Sequence, residues 1–457
     1  DEDQAAAIHA HTGGNARFVL EVLEALAAAS WPPHPELAAL APPTSLEERC
    51  STRWAGCSEL DREVLATLAV VGRPLPGASL SRLLSARERS SVGLPLETLE
   101  ASGWLRRGED GAWELSDGGV AATILRLVDS PTRRRLHRAV FESLGADSSA
   151  PERARHGLAA GLLEVAWPDL EVAVQELRGL GTFRPAMALL DAALEELPED
   201  DERHPGVLLR LGELASAAGD YPRAIALLSG LVERAEEPVC SAARLSLARA
   251  QRLGGAPQAA LETLAPLRQG GTRRHLDALV AAAAAQAVLD DHAGVEATVE
   301  QGLALITGEL PEGAELAVTG PQEAELWARR AWACGHSERH DEAAEAFATA
   351  LSKAREVGAR RVEADVLNRW SVVSWRSGDY AGLEERYGEA AAILDDLGEV
   401  ERATVARFNL GAFQLQRGVL ARALEHLEGS LRRFEGMGME QHAATACCNL
   451  GQLQLEL

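Results

Sequence analysis

The feature that most constrains the fold of this 457-residue chain is a repeat in its second half. The segments "FNLGAFQLQRG" and "CNLGQLQLEL" nearly repeat each other. Small residues recur there at intervals of forty positions, at Ala331, Ser371, Gly411 and Gly451. A repeat of this length is one supersecondary unit that cannot bury its apolar face alone, so successive units must stack. The period therefore predicts an array of stacked units in place of one globular core.

The composition indicates what these units are made of. Hydrophobic residues make up 46% of the chain but aromatic residues only 4%, so the core must be built mostly from alanine, leucine and valine. Alanine and leucine favour helices, and alanine also lets helices approach each other closely. Residues 149–457 are therefore predicted to form paired helices.

Residues 46–148 have a mixed pattern. "SLEERCSTRWAGCSELDREVLATLAVVG" predicts two helices, the second beginning after Ser58. In "WLRRGEDGAWEL", the stretch Gly108–Gly111 separates two short alternating runs, which is typical of a β-hairpin. Helices followed by a hairpin favour a winged-helix domain. Residues 1–45 end in "WPPHPELAALAPPTS", whose prolines break helices and predict a linker.

The repeats resemble the tetratricopeptide repeat in its longer-helix form. In "GDYPRAIALLSGLV" and "GDYAGLEERYGEAA" a GDY turn precedes the second helix, and Ala343 and Phe347 have the spacing that packs this helix back. The resemblance implies a right-handed superhelix whose first helices line a concave groove. "ATACCNLGQLQLEL" lacks a second helix, so we expect the natural chain to continue. The segment 290–325 departs from the period, which predicts an irregular repeat or a break.

The beginning of the chain resembles the lid of AAA-type and STAND-type signalling ATPases. "GGNARFVLEVLEAL" is similar to the GN turn and last helix of that lid, and "SLEERCSTRWAGCSELDREVLATLAVVG" to the segment after it in regulators of the maltose-activator class. In those proteins the lid, a winged helix and helical repeats follow one another. In some AAA proteins an arginine in this turn senses the terminal phosphate, so Arg17 is a nucleotide-sensor candidate. The alternative is an exposed arginine or an ion pair with Glu21.

The sequence lacks the residues that nucleotide hydrolysis requires. A P-loop needs GxxxxGK[ST], because its amides and its lysine hold the phosphates. The only lysine, Lys353, lies in "ALSKARE" without a glycine-rich loop, and no GxSxG motif occurs. We therefore expect a segment that is not an enzyme and holds no cofactor, with ATP or ADP bound by a missing N-terminal domain.

Tryptophan and arginine are concentrated in two successive repeats. Both residue types anchor peptide and ligand recognition. Helical spacing from the small positions of the period places five residues near the groove: Trp332, His336, Asn368, Trp375 and Arg376. Trp327 and Trp370 are predicted to be core anchors of their repeats. For Trp332, Trp375 and Arg376, two roles remain open: packing within their repeats, or binding of a ligand in the groove.

Charge and motifs restrict the partners. A net charge of −24 argues against DNA or an anionic membrane. The basic stretch Ser130–Leu144 offers a DNA-recognition helix, but a solvated face is the favoured interpretation. His336 and His340 have a ligand-like spacing without a third ligand, so no metal site is predicted. No leader or membrane-length apolar run is seen, which predicts a cytoplasmic protein.

These features together predict a sensor and scaffold arm of a STAND-like signalling ATPase. Its groove would bind a protein, a peptide or a small inducer, and its packing on its own ATPase domain would control nucleotide exchange. Three alternatives remain open. The chain could be a regulatory segment of a transcription activator, a regulatory segment fused to a protein kinase or nucleotide cyclase, or an autonomous tetratricopeptide adaptor.

Overall fold

The structure is a computed structural model that describes residues 46–84, 93–108, 110–116, 118–145, 148–268, 274–307 and 320–456. The predicted lid helix and linker, with Arg17, lie outside the described residues. The chain divides into two compact units. Unit 1 comprises Asp1–Ser148 with Ala159–Leu162, and unit 2 comprises Ser149–Leu158 with Leu163–Leu457.

Unit 1 combines helices with one β-hairpin. Its described elements are α1 (Leu46–Ala55), α2 (Glu59–Val71), α3 (Gly77–Leu83), α4 (Gly93–Ala101), β1 (Leu105–Arg107), β2 (Trp113–Leu115), α5 (Gly118–Leu127) and α6 (Ser130–Ser143). The two strands pair antiparallel, with Leu105 opposite Leu115 and Arg107 opposite Trp113. The predicted hairpin is therefore confirmed, whereas the classification as a winged helix stays a prediction.

Local hydrogen bonds explain where the helices of unit 1 begin. The Ser58 hydroxyl accepts from the backbone N–H of Asp61 at 3.1 Å, and the Asp61 carboxylate accepts from the N–H of Ser58 at 3.0 Å. This reciprocal pair is a capping box, and α2 accordingly begins after Ser58 as predicted.

In the basic helix α6, two arginines have partners within unit 1. Arg135 pairs with Glu63 at 2.7 Å and Arg133 donates to the carbonyl of Leu125 at 3.1 Å.

Unit 2 is an array of helices joined by short turns. Its described helices are α7 (Ala150–Ala159), α8 (Leu163–Gly179), α9 (Phe183–Glu196), α10 (His204–Ala217), α11 (Tyr221–Arg234), α12 (Val239–Leu253), α13 (Pro257–Leu264), α14 (His275–Val288), α15 (His292–Ile306), α16 (Gly320–His336), α17 (His340–Glu356), α18 (Arg360–Ser377), α19 (Leu383–Asp396), α20 (Val400–Gln416), α21 (Leu420–Met437) and α22 (Glu440–Glu456). From α8 onward, even-numbered helices are the first and odd-numbered helices the second of each pair.

The helix pairs stack side by side into a superhelix, as the period predicts. Each first helix packs against its own second helix and against the next first helix, from α10 through α22. In the described ranges, the second helices make no comparable contacts with one another. A stack in which the first helices contact one another and the second helices do not curves with the first helices on the inner side. The side chains of α10, α12, α14, α16, α18, α20 and α22 therefore line the concave surface.

Small residues within the first helices allow the close packing of each pair. Ala331 and Ser371 are fully buried, and the Ser371 hydroxyl donates to the carbonyl of Leu367 at 2.9 Å. A Cβ placed on Gly411 would lie 3.1 Å from the Leu427 side chain of α21. The small residues Ala331, Ser371 and Gly411 thus recur every forty positions because each lies where the two helices of a pair pack closely.

We expect opposite effects from adding a methyl group at two helical glycines. A Cβ on Gly212 in α10 would lie 2.6 Å from the fully buried Leu228, whereas a Cβ on the exposed Gly388 in α19 would meet nothing within 4 Å. Gly388→Ala should raise the free energy of unfolding by about 0.5–1 kcal/mol through helix propensity alone. Gly212→Ala should lower it by about 1 kcal/mol, because overpacking exceeds the same gain. Thermal and urea unfolding of both variants measure this, and equal effects would contradict the packing role.

The predicted irregularity at 290–325 does not interrupt the superhelix. Leu279 of α14, Val295 of α15 and Leu326 of α16 belong to one buried apolar cluster. Gly302 of α15 lies so close to Leu326 that an added Cβ would be 2.5 Å from it. The packing is therefore continuous from α14 to α16, and the alternative of a break is wrong for the described residues. Residues 308–319 lie outside them.

The array curves until the helices at its beginning and end meet. Phe183 of α9 and Met437 of α21 belong to one apolar cluster. A Cβ placed on Gly181, in the turn before α9, would lie only 2.8 Å from the Met437 sulfur. Arg184 and Glu440 form an ion pair at 3.2 Å across the same junction. These five residues form what we call the closure contact, which makes unit 2 a ring.

Candidate functional site

Several of the predicted groove residues meet at the C-terminal ends of the first helices. We call the set Trp332, His336, Trp375, Arg376 and Gln416 the rim cluster. His336, Arg376 and Gln416 occupy equivalent positions of α16, α18 and α20, forty residues apart. The Trp332 ring lies against the His336 ring, with centroids 4.3 Å apart, and also packs on the core of its repeat. Trp332 therefore contributes both to the core of its repeat and to the surface formed by the rim cluster.

His336 is held in one tautomer by its two neighbours. Its Nδ1 lies 2.9 Å from the carbonyl oxygen of Trp332, and its Nε2 lies 2.7 Å from Arg376 Nη1. Because a carbonyl only accepts and a guanidinium only donates, Nδ1 carries the proton and Nε2 accepts. Burial, with the nearby charge of Arg376, lowers the pKa of His336. The ring is neutral near pH 7 and orients the Arg376 guanidinium.

Trp375 and Arg376 also line an open cavity of about 630 Å3 at the end of α18. The indole Nε1 of Trp375 donates to Gln416 Oε1, and its ring meets the edge of Phe413 with centroids 5.8 Å apart. Asn368 lies apart from this cavity, where it accepts a hydrogen bond from Asn409 at 3.2 Å. The structure thus brings four of the five predicted groove residues into the rim cluster and leaves Asn368 outside it.

Acidification should destabilise unit 2 partly through His336. The pKa of His336 is lower in the folded than in the unfolded chain, so the stabilisation is fully present above the unfolded-chain pKa of about 6.5 and is lost as the pH falls from there through the lower pKa of the folded chain. His336→Gln should therefore flatten the dependence of melting temperature on pH between 8 and 5.5. Burial also lowers the pKa of His426 and of His442, so only the difference between variant and wild type is informative. Parallel curves would contradict a neutral His336.

A second cavity, of about 460 Å3, lies deeper on the concave surface and was missed by the sequence analysis. We call it the inner cavity. Four of its arginines form what we call the arginine cluster: Arg249 and Arg252 of α12, Arg329 of α16 and Arg369 of α18. Arg329 and Arg369 are forty residues apart, and each stands two positions before the small residue of its repeat. This shared position in the repeat is a signal that could have predicted both arginines from the sequence. The tryptophans instead favoured residues about one helical turn further along the same helices.

Among the residues that the structure describes, the arginine cluster lacks close ion pairs, although the charges of Glu325 and Asp365 act on Arg329 and Glu401 lies near enough to Arg249 to interact with its charge. In the described part of the chain, no side chain of its four members forms a hydrogen bond or an ion pair. Nε of Arg329 and Nη1 of Arg369 are both buried without any hydrogen-bond partner. Burial and the neighbouring arginines lower the pKa of Arg329 well below its usual range and that of Arg252 to about 10. Mutual repulsion and desolvation thus act on the same groups.

Within the described ranges, no three His, Cys, Asp or Glu side chains are grouped so that they could hold a metal ion. Over the same residues, we find no helix with the length and apolarity needed to cross a bilayer.

Comparison with known proteins supports the repeat architecture. A family model for the tetratricopeptide repeat matches residues 177–239. No curated protein matches the sequence. A STAND protein with a tetratricopeptide repeat sensor from Pyrococcus horikoshii is 15% identical, with 90% of this chain and 56% of that chain covered and a TM-score of 0.34. This chain thus spans just over half the length of that protein.

Two further solved structures are similar over shorter parts of this chain. A Rap protein in complex with competence and sporulation factor is 15% identical, with 61% of this chain and 80% of that chain covered and a TM-score of 0.42. A tetratricopeptide repeat protein from Parabacteroides merdae is 14% identical, with 62% and 98% covered and a TM-score of 0.36. The tetratricopeptide match covers the part of unit 2 from the end of α8 to the beginning of α12, and unit 2 as described is an array of paired helices.

Proposed function

We propose that this chain is the sensing and scaffold arm of a STAND-like signalling ATPase, and that unit 2 binds a protein or peptide partner, or a small inducer, on its concave surface. The observation that carries the proposal is the rim cluster. Tryptophan and arginine side chains of two consecutive first helices, α16 and α18, lie there with Gln416 of α20, and Trp375, Arg376 and Gln416 line an open cavity of about 630 Å3. Such side chains supply most of the binding energy in protein interfaces.

The ATPase part of the proposal rests on the sequence. The lid-like segment with Arg17, the winged-helix-like unit and the repeats follow one another as in that class. In this proposal ATP or ADP is bound by a separate nucleotide domain, and the repeat arm is the element whose conformation depends on its ligand. A ligand can shift that equilibrium only by as much as it binds the two conformations with different affinity.

The orientation of Arg376 suggests how recognition at the rim would work. His336 accepts a hydrogen bond from one guanidinium nitrogen at 2.7 Å, while the side chain as a whole is exposed. The remaining N–H groups are free to donate to a carboxylate or a backbone carbonyl of a partner. Trp375 and Tyr380 supply apolar area beside it. An extended peptide segment with an acidic residue near an apolar one fits this surface.

Charge reversal at the rim tests the proposal. The wild-type chain and Arg376→Glu are used as baits in the native lysate, and a captured partner is identified and then titrated in purified form. We expect Arg376→Glu to weaken the affinity by about tenfold or more, because a charged hydrogen bond becomes a repulsion. Arg432→Glu, on the exposed surface of α21, is the matched control and should bind as the wild type does. Equal affinity of all three proteins would overturn the role of the rim cluster.

A further inference from the structure

The inner cavity contains more positive than negative side chains, although the chain as a whole carries a net charge of −24. Its lining includes six arginines and four carboxylates. Beyond the arginine cluster, Arg402 pairs with Asp365 at 2.6 Å and Arg361 approaches Glu399 at 3.5 Å. The excess positive charge therefore resides in the four unpaired arginines.

The remaining carboxylates do not neutralise the arginine cluster. Asp277 accepts a hydrogen bond from Gln322 at 3.1 Å and forms no ion pair. Glu325 also forms no ion pair in the described ranges, although it lies near enough to Arg329 to interact with its charge. Burial raises the pKa of Glu401, which favours its neutral form. These three carboxylates therefore leave N–H donors of the four arginines without acceptors.

Arg329 and Arg369 are half-buried and Arg249 is exposed, but a single buried guanidinium nitrogen without an acceptor is already costly in a folded protein. Nearly all buried polar atoms find a hydrogen-bond partner, so each exception requires an explanation. Here two exceptions, Arg329 Nε and Arg369 Nη1, belong to equivalent positions of adjacent first helices and line one cavity. An acceptor that enters the cavity would satisfy both atoms together.

We propose that the inner cavity binds a small oxyanion with two or more negative charges, held by Arg249, Arg252, Arg329 and Arg369. This inference rests on the proposed function in placing recognition on the concave surface, and it names the ligand class. Guanidinium groups bind phosphoryl and carboxylate oxygens in the same forked geometry, so both kinds of oxyanion belong to this class. The phosphoryl or carboxylate oxygens would replace the missing acceptors.

The dimensions favour a small molecule over a polypeptide. A volume of about 460 Å3 is typical of sites for metabolites. An adjoining cavity of about 420 Å3 shares Arg249, Arg361 and Arg402 with it and leads toward α8, next to the closure contact. The arginine cluster therefore lies inside the ring, whereas the rim cluster lies at the ends of the helices. A protein partner and a small anion would use different parts of the concave surface.

Calorimetric titration of the whole chain tests this proposal. The probes are pyrophosphate, tripolyphosphate and citrate at constant ionic strength, with chloride as the monovalent reference. We expect saturable binding of one polyanion per chain. Arg329→Gln/Arg369→Gln should weaken it by about 100-fold or more, because two charge-assisted hydrogen-bond sites are lost. The control is Arg422→Gln/Arg432→Gln, which removes two equally charged but exposed arginines of α21 and should bind as the wild type does.

Thermal unfolding keeps the test valid if the double variant folds poorly. Without ligand, Arg329→Gln/Arg369→Gln should melt at or above the wild-type temperature, because it removes unpaired charges from the cavity. A saturating polyanion should raise the melting temperature of the wild type and of the control, but not that of the double variant. A marked loss of stability in the double variant without ligand would overturn the proposal and assign the arginines a structural role.

The outcomes separate this inference from the proposed function. Preference for pyrophosphate identifies a phosphoryl ligand, and preference for citrate identifies a polycarboxylate. The absence of saturable binding, or equal affinity in the wild type and the double variant, would overturn the inference. Binding of an oligoglutamate peptide without binding of any small polyanion would also overturn it. Partner capture that depends on Arg376 would in those cases still support the proposed function.

Discussion

Phe347→Ala is expected to lower the free energy of unfolding of unit 2 by about 3–5 kcal/mol. Phe347 is fully buried in α17, and its ring stacks on Trp370 of the next first helix at a centroid distance of 5.9 Å. Most buried members of its cluster are alanines, which are too short to fill the space that the ring would leave. A cavity would therefore remain, and α17 would lose its aromatic contact to α18.

Hydrogen exchange locates this effect within the array. Because repeats are stabilised mainly by their neighbours, protection should fall first in α16, α17 and α18 and less in the distant α10. Leu455→Ala is the matched control, since Leu455 is 90% exposed and its truncation should change the melting temperature little. A uniform loss of protection, or a Phe347→Ala variant as stable as the control, would contradict the local packing described for this cluster.

Gly181→Val is expected to open the ring of unit 2. The new side chain would occupy the space of Met437, so the overpacking should cost about 1–3 kcal/mol at the closure contact. Gly181 also has a φ of +71°, which strains a β-branched residue wherever it occurs. Small-angle X-ray scattering should show a larger radius of gyration when the closure contact is lost.

Gly219→Val is the control that distinguishes loss of the closure contact from backbone strain. Gly219 occupies the corresponding turn of the next repeat with a φ of +81°, but a Cβ there would meet nothing within 4 Å. Gly219→Val should therefore lose stability through strain alone and keep the wild-type radius of gyration. If both variants expand equally, the expansion reflects loosened turns, and the closure contact does not hold the ring.

The parts of the fold that depend on local sequence were predictable. The position of Ser58 before an apolar run defines the beginning of α2, and the period of small residues defines the helix pairs from α16 onward. Both signals act within one helix or between neighbouring helices, so they can be recognised in the order of residues. The prediction at 290–325 was wrong in one alternative because apolar packing of Leu326 continues through an irregular sequence.

The functional surfaces were only partly predictable. Helical spacing identified the rim residues Trp332, His336, Trp375 and Arg376, but it does not show that a histidine would orient an arginine from the next repeat. The arginine cluster combines α12 with α16 and α18, and the curvature that brings α12 toward them results from all the intervening pairs. The closure contact was not predictable at all, because Arg184 and Glu440 are 256 positions apart.

This separation along the chain determines when the closure contact forms. Contacts between neighbouring helices require little chain ordering, whereas the junction of α9 with α21 can form only after every intervening pair has stacked. It is then the last contact to form and the first to break, since a single ion pair and a few apolar side chains hold it. Opening of this seam would relax the curvature of the stack, and that curvature brings α12 toward α16 and α18. We therefore expect opening of the seam to spread the arginine cluster and to weaken its hold on an anion.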